Sequence, residues 1–239
     1  MAHQRPHHNP HPAVKGYLVL YNLAQAAGWS LCLAALAAAA ARGEDVRGQF
    51  AAGAPYARWL QFAAFAEILH AGTGIVPSSP ISNFWQWLGR ANALFKFAVG
   101  IPELQSDPCA VVMLACWSIG EMIRYPWYAL TLLDACPHWL TWLRYTAFLA
   151  LYPAGVVAEM ALLWRGVPLV RTRGLYSVAL PNAWNWAWDY ARFIEVMLVL
   201  YPYLWWGNFS SLLRQRGKRL GRGGAGAAAA AAGARAKEE

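Results

Sequence analysis

The chain has 239 residues, of which 58% are hydrophobic and only 13% are charged. A soluble globular domain carries about 25% charged residues. The apolar residues are also gathered into stretches of about 20, the length that crosses a bilayer. These features argue against a soluble enzyme, a disulfide-stapled secreted domain and a disordered chain. The net charge of +8 is typical of basic flanks that face anionic lipid rather than nucleic acid.

Six apolar stretches follow a polar N-terminal segment, and turn-forming or charged residues separate them. We predict a disordered tail over 1–13 and an all-α polytopic membrane bundle of six transmembrane helices over 14–212. The predicted spans are 14–40, 55–77, 82–102, 109–133, 139–164 and 183–212.

The C-terminal segment 213–239 is basic at first and then rich in Gly and Ala, so we predict a disordered tail. Six spans place both termini on one side, and the basic cluster at 214–222 makes that side cytosolic. The loop at 165–181 also carries three arginines and would face the opposite side, so the charge signal is mixed.

Charged side chains lie within the apolar stretches, where each costs about 2.5–3.5 kcal/mol at mid-membrane. They must pair, or turn inward around a polar cavity; the alternative is that they join helices or reach the interface. The acidic members are Glu67, Glu121, Glu159, Asp189 and Glu195. The basic members are Arg90, Lys96, Arg124, Arg144 and Arg192.

Two neighbouring stretches each carry a polar, aromatic-rich stripe at helical spacing, within arcs of about 80–100°. Because the loop between them is short, we expect the two helices to be antiparallel and the stripes to face each other around a polar pocket. The stripes are Trp117, Glu121, Arg124, Tyr125 and Tyr128 on the fourth stretch, and Arg144, Phe148, Tyr152, Gly155 and Glu159 on the fifth.

Several motifs resemble the 3-hydroxyacyl-CoA dehydratase family of fatty-acid elongation, which is also described as protein-tyrosine-phosphatase-like. The tightest match is Leu-Tyr-Pro-Ala-Gly-Val-Val-Ala-Glu at 151–159. Others are Trp-Ser-Ile-Gly-Glu-Met-Ile-Arg-Tyr at 117–125, Leu-Arg-Tyr-Thr at 143–146, and the segments 17–22 and 67–80. The motifs stand in the family's order and leave out only the two tails.

The resemblance implies a catalytic domain over 14–212 in the endoplasmic reticulum membrane, with both termini cytosolic. It implies dehydration of (3R)-3-hydroxyacyl-CoA to trans-2-enoyl-CoA, the third step of very-long-chain elongation. The implied partners are this substrate, the lipid bilayer and the other elongase enzymes, namely the condensing enzyme and the ketoacyl and enoyl reductases, with no nucleic acid. The implied catalytic residues are Tyr152 and Glu159, and the implied supporting or substrate-binding residues are Arg90, Glu121, Arg124, Arg144 and Gly155.

Dehydration requires a base for the C2 proton and an acid for the departing C3 hydroxyl, so we expect no metal and no other cofactor. Either Tyr152 or Glu159 can fill either role. Seven residues of straight helix span about 10 Å, a gap that the long Tyr side chain, a bend at Pro153 or a bridging water has to close. At Gly89 we expect Ser from the family, which weakens the assignment of Arg90.

Two other functional classes stay open, a transporter and a non-catalytic membrane scaffold of the endoplasmic reticulum. Buried charges suit a transporter, but the sequence has no internal repeat. A thiol phosphatase needs Cys-x5-Arg, and the residues six positions after the four cysteines are Ala38, Ala115, Met122 and Trp142. Glu67-x-x-His70 resembles half of a di-iron site, but a second copy is absent from the sequence.

Overall fold

The computed structural model describes residues 11–235, and for 219 and 221–235 the backbone alone. Within this range the fold is helical, and its only β pairing is an isolated antiparallel bridge between Val178 and Trp188. A π-helical segment, Asn92–Ala98, and a 3₁₀ turn, Pro102–Ser106, connect the fourth and fifth α-helices. The α-helices are α1 (Pro12–Ala41), α2 (Val46–Ala63), α3 (Ala66–Gly72), α4 (Pro80–Ala91), α5 (Pro108–Leu132), α6 (His138–Arg144), α7 (Phe148–Arg173) and α8 (Tyr190–Arg235).

Local sequence signals explain where several helices begin and end. Asp45 accepts a hydrogen bond from the Gly48 N–H at 2.8 Å, and Asp107 accepts one from the Cys109 N–H at 2.9 Å. These side chains satisfy backbone donors that the first turns of α2 and α5 leave unpaired. α7 ends at Gly174, whose φ of 62° lies in the left-handed region that favours glycine.

The helices differ from the predicted spans at several places, and the third span, 82–102, is divided into α4 and the π-helical segment. The second span is divided, because α2 ends at Ala63 and α3 begins at Ala66. The fifth is divided into α6 and α7, and α7 continues to Arg173, so the prediction of a loop from 165 was wrong in its first nine residues. Leu163, Val167 and Val170 are buried there, and this packing extends the helix. The sixth helix begins at Tyr190 rather than at 183.

α5 lies at the centre of the bundle and packs against both α1 and α7, while α2 lies against α1 and α8 lies against α7. Large side chains, including Trp29, Phe97, Met113 and Leu162, fill the shared core. Gly166 allows a close approach between α7 and the π-helical segment, because a Cβ at that position would lie 2.4 Å from the ring of Phe97.

Two helical segments of the described chain are long and apolar enough to cross a membrane, Pro12–Ala41 and His138–Arg173. Their mean hydropathies are 1.6 and 1.7, and only 33% and 39% of their most apolar windows are buried inside the protein. The all-helical class is therefore confirmed, and two of the six predicted spans lie in segments that have the length and hydropathy of a membrane span.

The tail predictions fall partly outside the described range. Residues 1–10 and 236–239 are not described, and α1 begins at Pro12, within the predicted N-terminal tail. The backbone of 213–235 is helical and continues α8 through a segment that the sequence predicts as disordered. Six consecutive alanines at 227–232 give this segment a high intrinsic helix propensity.

Candidate active site

Glu159 is a buried carboxyl held between three helices. It lies on α7 with 7% of its surface exposed. The indole Nε1–H of Trp117 on α5 donates to Oε1 at 2.7 Å, and the hydroxyl of Tyr201 on α8 donates to Oε2 at 3.0 Å. Each oxygen therefore has its own donor, which offsets the cost of burying the group and sets its orientation.

Tyr152 lies on the same side of α7, because seven residues complete almost two helical turns. Its ring centroid is 5.9 Å from that of Trp205 and 6.2 Å from that of Phe209, both on α8. Trp205 and Phe209 stack on each other with centroids 4.9 Å apart and an interplanar angle of 16°. Tyr152 and Glu159 thus both face α8, and an aromatic wall lies beside the phenol.

Four charged side chains form a continuous ionic cluster next to this pair. Glu121 on α5 accepts from Arg90 and from Arg124, each at 2.5 Å. Arg124 also binds Glu67 through two hydrogen bonds of 3.0 and 3.1 Å, and the Tyr125 hydroxyl donates to Glu67 at 2.5 Å. The cluster has equal numbers of acidic and basic groups, so it is neutral when all four are ionised.

Arg90 connects this ionic cluster to Glu159 through Trp117. Its guanidinium carbon lies 4.3 Å from the ring centroid of Trp117 and 5.5 Å from that of Trp29. Nε and Nη2 of Arg90 are buried and have no hydrogen-bond partner among the described residues. Trp117 therefore touches Arg90 with its face and Glu159 with its N–H, and two buried nitrogens of Arg90 keep N–H groups that no described residue accepts.

The expected face-to-face stripes of the fourth and fifth stretches form only in part. Trp117 is the member of the fourth-stretch stripe that bonds to Glu159. Glu121 and Arg124 instead pair with Arg90 and Glu67, which come from α4 and α3. The physical reason is that these two short helices supply opposite charges, and a buried ionic group is stabilised only where it is paired.

Arg144 and Gly155 have different surroundings from those expected. Arg144 is the last residue of α6, so a turn at 145–147 separates it from the stripe on α7. Its guanidinium carbon lies 6.0 Å from the Tyr145 ring, and its Nε is buried without a partner among the described residues. Gly155 faces α5, where a Cβ would lie 3.4 Å from Cys116, an ordinary packing distance.

Tyr201 and Trp205 were not among the sequence candidates. Both residues lie on the sixth stretch, outside the two polar stripes of the fourth and fifth stretches. A usable signal was present, because Tyr201, Trp205 and Phe209 recur every four residues and so share one face of a helix.

Comparison with known proteins identifies the family. A family model described as "Protein tyrosine phosphatase-like protein, PTPLA" matches residues 61–222. The chain belongs to this family. Its PTPLA relatives include very-long-chain (3R)-3-hydroxyacyl-CoA dehydratase 2 of Mus musculus, 34% identical over 212 residues, which are 88% of this chain and 83% of the relative. The human protein of that name is also 34% identical, over 87% of this chain and 82% of the relative.

Very-long-chain (3R)-3-hydroxyacyl-CoA dehydratase 1 of Mus musculus is 32% identical over 85% of this chain and 73% of the relative. No solved structure matches this PTPLA chain. All seven candidate residues lie within the segment that the family model matches. The four cysteines, at 32, 109, 116 and 136, are free thiols. In the described part of the chain, the side chains form no group of three or more that would hold a metal ion.

The arginines at the C-terminal end of α7 account for the basic charge of the 165–181 segment. Arg165 pairs with Asp107 at 2.6 Å, and Arg173 pairs with Glu103 at 2.5 Å. The hydrogen bond from Arg173 holds the pKa of Glu103 below its usual value. Burial raises the pKa of Asp107, but the hydrogen bonds from Arg165 and the Cys109 N–H outweigh burial and lower it. These basic residues are thus paired within the protein.

Proposed function

We propose that the protein removes water from (3R)-3-hydroxyacyl-CoA to give trans-2-enoyl-CoA, with Glu159 and Tyr152 as the catalytic pair. The family relationship supports this reaction, since the relatives are named as dehydratases and the similarity covers most of their length. The observation that carries the assignment of the pair is the carboxyl of Glu159, buried and held by Trp117 and Tyr201 on the helix face that it shares with Tyr152.

In this proposal Glu159 is the base and Tyr152 is the acid. An indole N–H can only donate, so Oε1 of Glu159 must accept from Trp117 in every protonation state. A carboxylate accepts equally well from Tyr201 at Oε2. A neutral carboxylic acid can still accept from both donors, but it binds them less strongly than a carboxylate does. The two donors therefore match the ionised carboxylate, the form that removes a proton.

The reaction then needs two proton transfers and no outside reactant. Glu159 takes a proton from C2, and the C–H electron pair moves into the thioester as an enolate. The enolate electrons return to form the C2–C3 double bond, the C3–O bond breaks, and the departing hydroxyl takes the phenolic proton of Tyr152. Water and the trans-enoyl thioester result, and the proton on Glu159 returns to the phenolate through solvent. Arg90 supports this path, because its two unpartnered donors suit a thioester oxygen that becomes an enolate.

The partners of the two groups on α8 are one to two turns apart. Glu159 bonds to Tyr201, whereas Tyr152 packs against Trp205 and Phe209, four and eight residues further along α8. Four to eight residues rise about 6–12 Å, so in this proposal the long Tyr side chain or a bridging water brings the phenol to the carbon next to the one that Glu159 reaches.

We propose six membrane spans with both termini in the cytosol. Two segments meet the length and hydropathy needed to cross a bilayer, and large apolar side chains such as Trp59 and Trp164 lie on the outside. At the end of the bundle where α7 finishes, Arg165, Arg171 and Arg173 are all paired with carboxylates. The opposite end carries the basic cluster at 214–222, which suits a cytosolic surface and the anionic CoA group.

The endoplasmic reticulum is the proposed membrane, and the other elongase enzymes are the proposed partners. The partners follow from the reaction, because the substrate is the product of a ketoacyl reductase and the enoyl product feeds an enoyl reductase. The choice of membrane rests on the family resemblance described from the sequence motifs.

Purified full-length protein in lipid nanodiscs tests the proposal when it is given the (3R) substrate. Enoyl-CoA formation, read by its ultraviolet absorbance and by mass spectrometry, is expected for the wild type and not for Glu159→Gln or Tyr152→Phe. The (3S) epimer serves as the stereochemical control. Absence of turnover by a folded wild type would refute the enzyme and leave a scaffold or a transporter.

A further inference from the structure

Four buried polar atoms along the seam between α7 and α8 have no hydrogen-bond partner among the described residues. They are Nε of Arg144, Oγ1 of Thr146, Nε1 of Trp205 and Nε of Arg216. Native proteins pair most of their buried polar groups, because an unpaired one costs free energy. Several such atoms at one end of a seam therefore indicate a ligand that supplies the missing partners.

Aromatic contacts locate two of these atoms next to the proposed site. The ring centroid of Trp205 lies 5.9 Å from that of Tyr152. One helical turn earlier on α7, the ring centroid of Phe148 lies 5.8 Å from that of Phe209 on α8. Thr146 precedes Phe148 by two residues, in the turn that joins α6 to α7. One unpaired atom is thus beside the phenol, and another is at the end of the seam beyond it.

Arg216 lies further along the same face of α8. It follows Phe209 by seven residues, which is almost two helical turns, so it projects from the face that meets α7. Helical side chains lean toward the N-terminus of their helix, which directs this guanidinium back toward the turn between α6 and α7. The burial of its Nε agrees with that direction. Arg144, the last residue of α6, immediately precedes the same turn.

All four groups can donate a hydrogen bond, and two of them are permanently charged guanidinium groups. The sequence has no Asp or Glu within 135–158 or 196–237, so neither segment supplies a carboxylate to Arg144 or Arg216. By contrast, the three arginines at the C-terminal end of α7 are all paired with carboxylates. A set of donors with two positive charges suits an oxyanion, and guanidinium groups bind phosphate through paired hydrogen bonds.

We propose that Arg144, Thr146 and Arg216 bind the diphosphate of the substrate's CoA group, and that Trp205 donates to a carbonyl of its pantetheine arm. This inference rests on the proposed dehydratase function. It gives every one of the four donors an oxygen acceptor. The acceptors also follow the order of the donors along the seam, because the arm lies between the thioester and the diphosphate.

The length of the pantetheine arm matches the distance along α8. About 15 bonds separate C2 of the acyl group from the nearer phosphorus, and an extended chain of that length spans about 18 Å. Tyr201, which bonds to Glu159, and Arg216 are fifteen residues apart, a helical rise of about 22 Å. Because the long side chain of Arg216 leans back toward Tyr201, its guanidinium reaches the level of the diphosphate.

The phosphate of an anionic lipid headgroup offers the same chemistry, and the test separates this source from CoA. Each protein is assayed in nanodiscs of phosphatidylcholine, with and without phosphatidylserine. The substrates are a (3R)-3-hydroxyacyl-CoA and the matching pantetheine thioester, which keeps the arm and lacks the diphosphate. The variants are Arg216→Gln and Thr146→Val. The matched control is Arg192→Gln, which changes an exposed arginine at the other end of α8.

Both variants should lose about tenfold or more in kcat/KM with the CoA ester, because each loses a hydrogen bond to a charged group. The loss should appear as a higher KM with little change in kcat, since the contact contributes to binding and not to the proton transfers. With the pantetheine thioester, the kcat/KM of both variants should stay within about twofold of the wild-type value. Arg192→Gln should change kcat/KM for neither substrate, and the wild type should prefer the CoA ester by about 100-fold or more.

Equal losses with the two substrates, or no loss with either, overturn the diphosphate site and leave the dehydratase in place. A loss that requires phosphatidylserine assigns the donors to a lipid headgroup and overturns the proposal. An equal loss in Arg192→Gln also overturns it, because the effect is then one of net charge. A folded wild type that turns over neither substrate overturns the proposed function and this inference with it.

Discussion

Replacing Tyr201 with phenylalanine removes one of the two donors to Glu159 and keeps the aromatic ring. In the structure the Tyr201 hydroxyl lies 3.0 Å from Oε2 of Glu159. After the substitution Oε1 still accepts from Trp117, but Oε2 has lost its described donor. The carboxyl of Glu159 can then rotate about its hydrogen bond to Trp117. The oxygen that acts as the base is no longer held toward C2 of the substrate.

The expected size follows from the kind of hydrogen bond lost. A hydrogen bond to a charged group contributes about 1.5–3 kcal/mol. Each 1.36 kcal/mol in the barrier is about tenfold in rate, so kcat should fall about 10- to 150-fold. KM should change by less than about twofold, because the hydroxyl is bonded to the catalytic base and uniform substrate binding is left in place.

The assay measures kcat and KM in nanodiscs for Tyr201→Phe beside Tyr203→Phe. Tyr203 is on the same helix and is 80% exposed, so losing its hydroxyl controls for the chemical change alone. Thermal unfolding of both variants shows whether the fold is retained. A folded Tyr201→Phe protein with wild-type kcat would refute the view that this residue positions Glu159.

Three further predictions concern stability. Glu121→Ala should cost about 3 kcal/mol, because two partly buried guanidinium groups lose their shared, buried carboxylate. Unfolding in denaturant measures this, and a loss below about 1 kcal/mol would contradict the ionic cluster. Gly166→Ala should destabilise the protein by about 1–3 kcal/mol, since its methyl would lie 2.4 Å from the buried ring of Phe97. The control Gly120→Ala has open space around it and should be neutral or stabilising. Equal changes in the free energy of unfolding for the two variants would contradict the close packing at Gly166. Arg173 lowers the folded-state pKa of Glu103. This carboxylate therefore stabilises the fold above its unfolded pKa of about 4.3 and loses that contribution as the pH falls through the lower folded value. The melting-temperature difference between wild type and Glu103→Gln should shrink toward pH 3, and a constant difference would contradict this linkage.

The helical class and most of the helix positions could be predicted from the sequence, because apolar length and breaker residues are local signals. The sequence predicts the end of the fifth span at 164, nine residues before α7 ends at Arg173, because the arginines beyond 164 are typical of a loop. In the structure Arg165, Arg171 and Arg173 lie on a helix and pair with carboxylates from other segments. Such partners are distant in sequence, so a single stretch does not reveal them.

The candidate site could be predicted on α7 but not across to α8. Spacing alone put Tyr152 and Glu159 on one helix face, and the structure shows that face directed toward α8. The donors Trp117 and Tyr201 come from helices that meet α7 only after folding. The spacing places Arg144 on the same stripe only if the helix is continuous, whereas in the structure a turn separates α6 from α7.

Exchange of the C2 proton tests the assignment of Glu159 as base and Tyr152 as acid most directly. The saturated 3-hydroxyacyl-CoA is incubated with each variant in deuterated water, and deuterium at C2 is read by mass spectrometry. Tyr152→Phe should incorporate deuterium at C2 without forming the enoyl product, because the base is intact and the acid is missing. Glu159→Gln should give neither exchange nor product. Deuterium exchange in Glu159→Gln together with none in Tyr152→Phe would reverse the assignment and contradict this account.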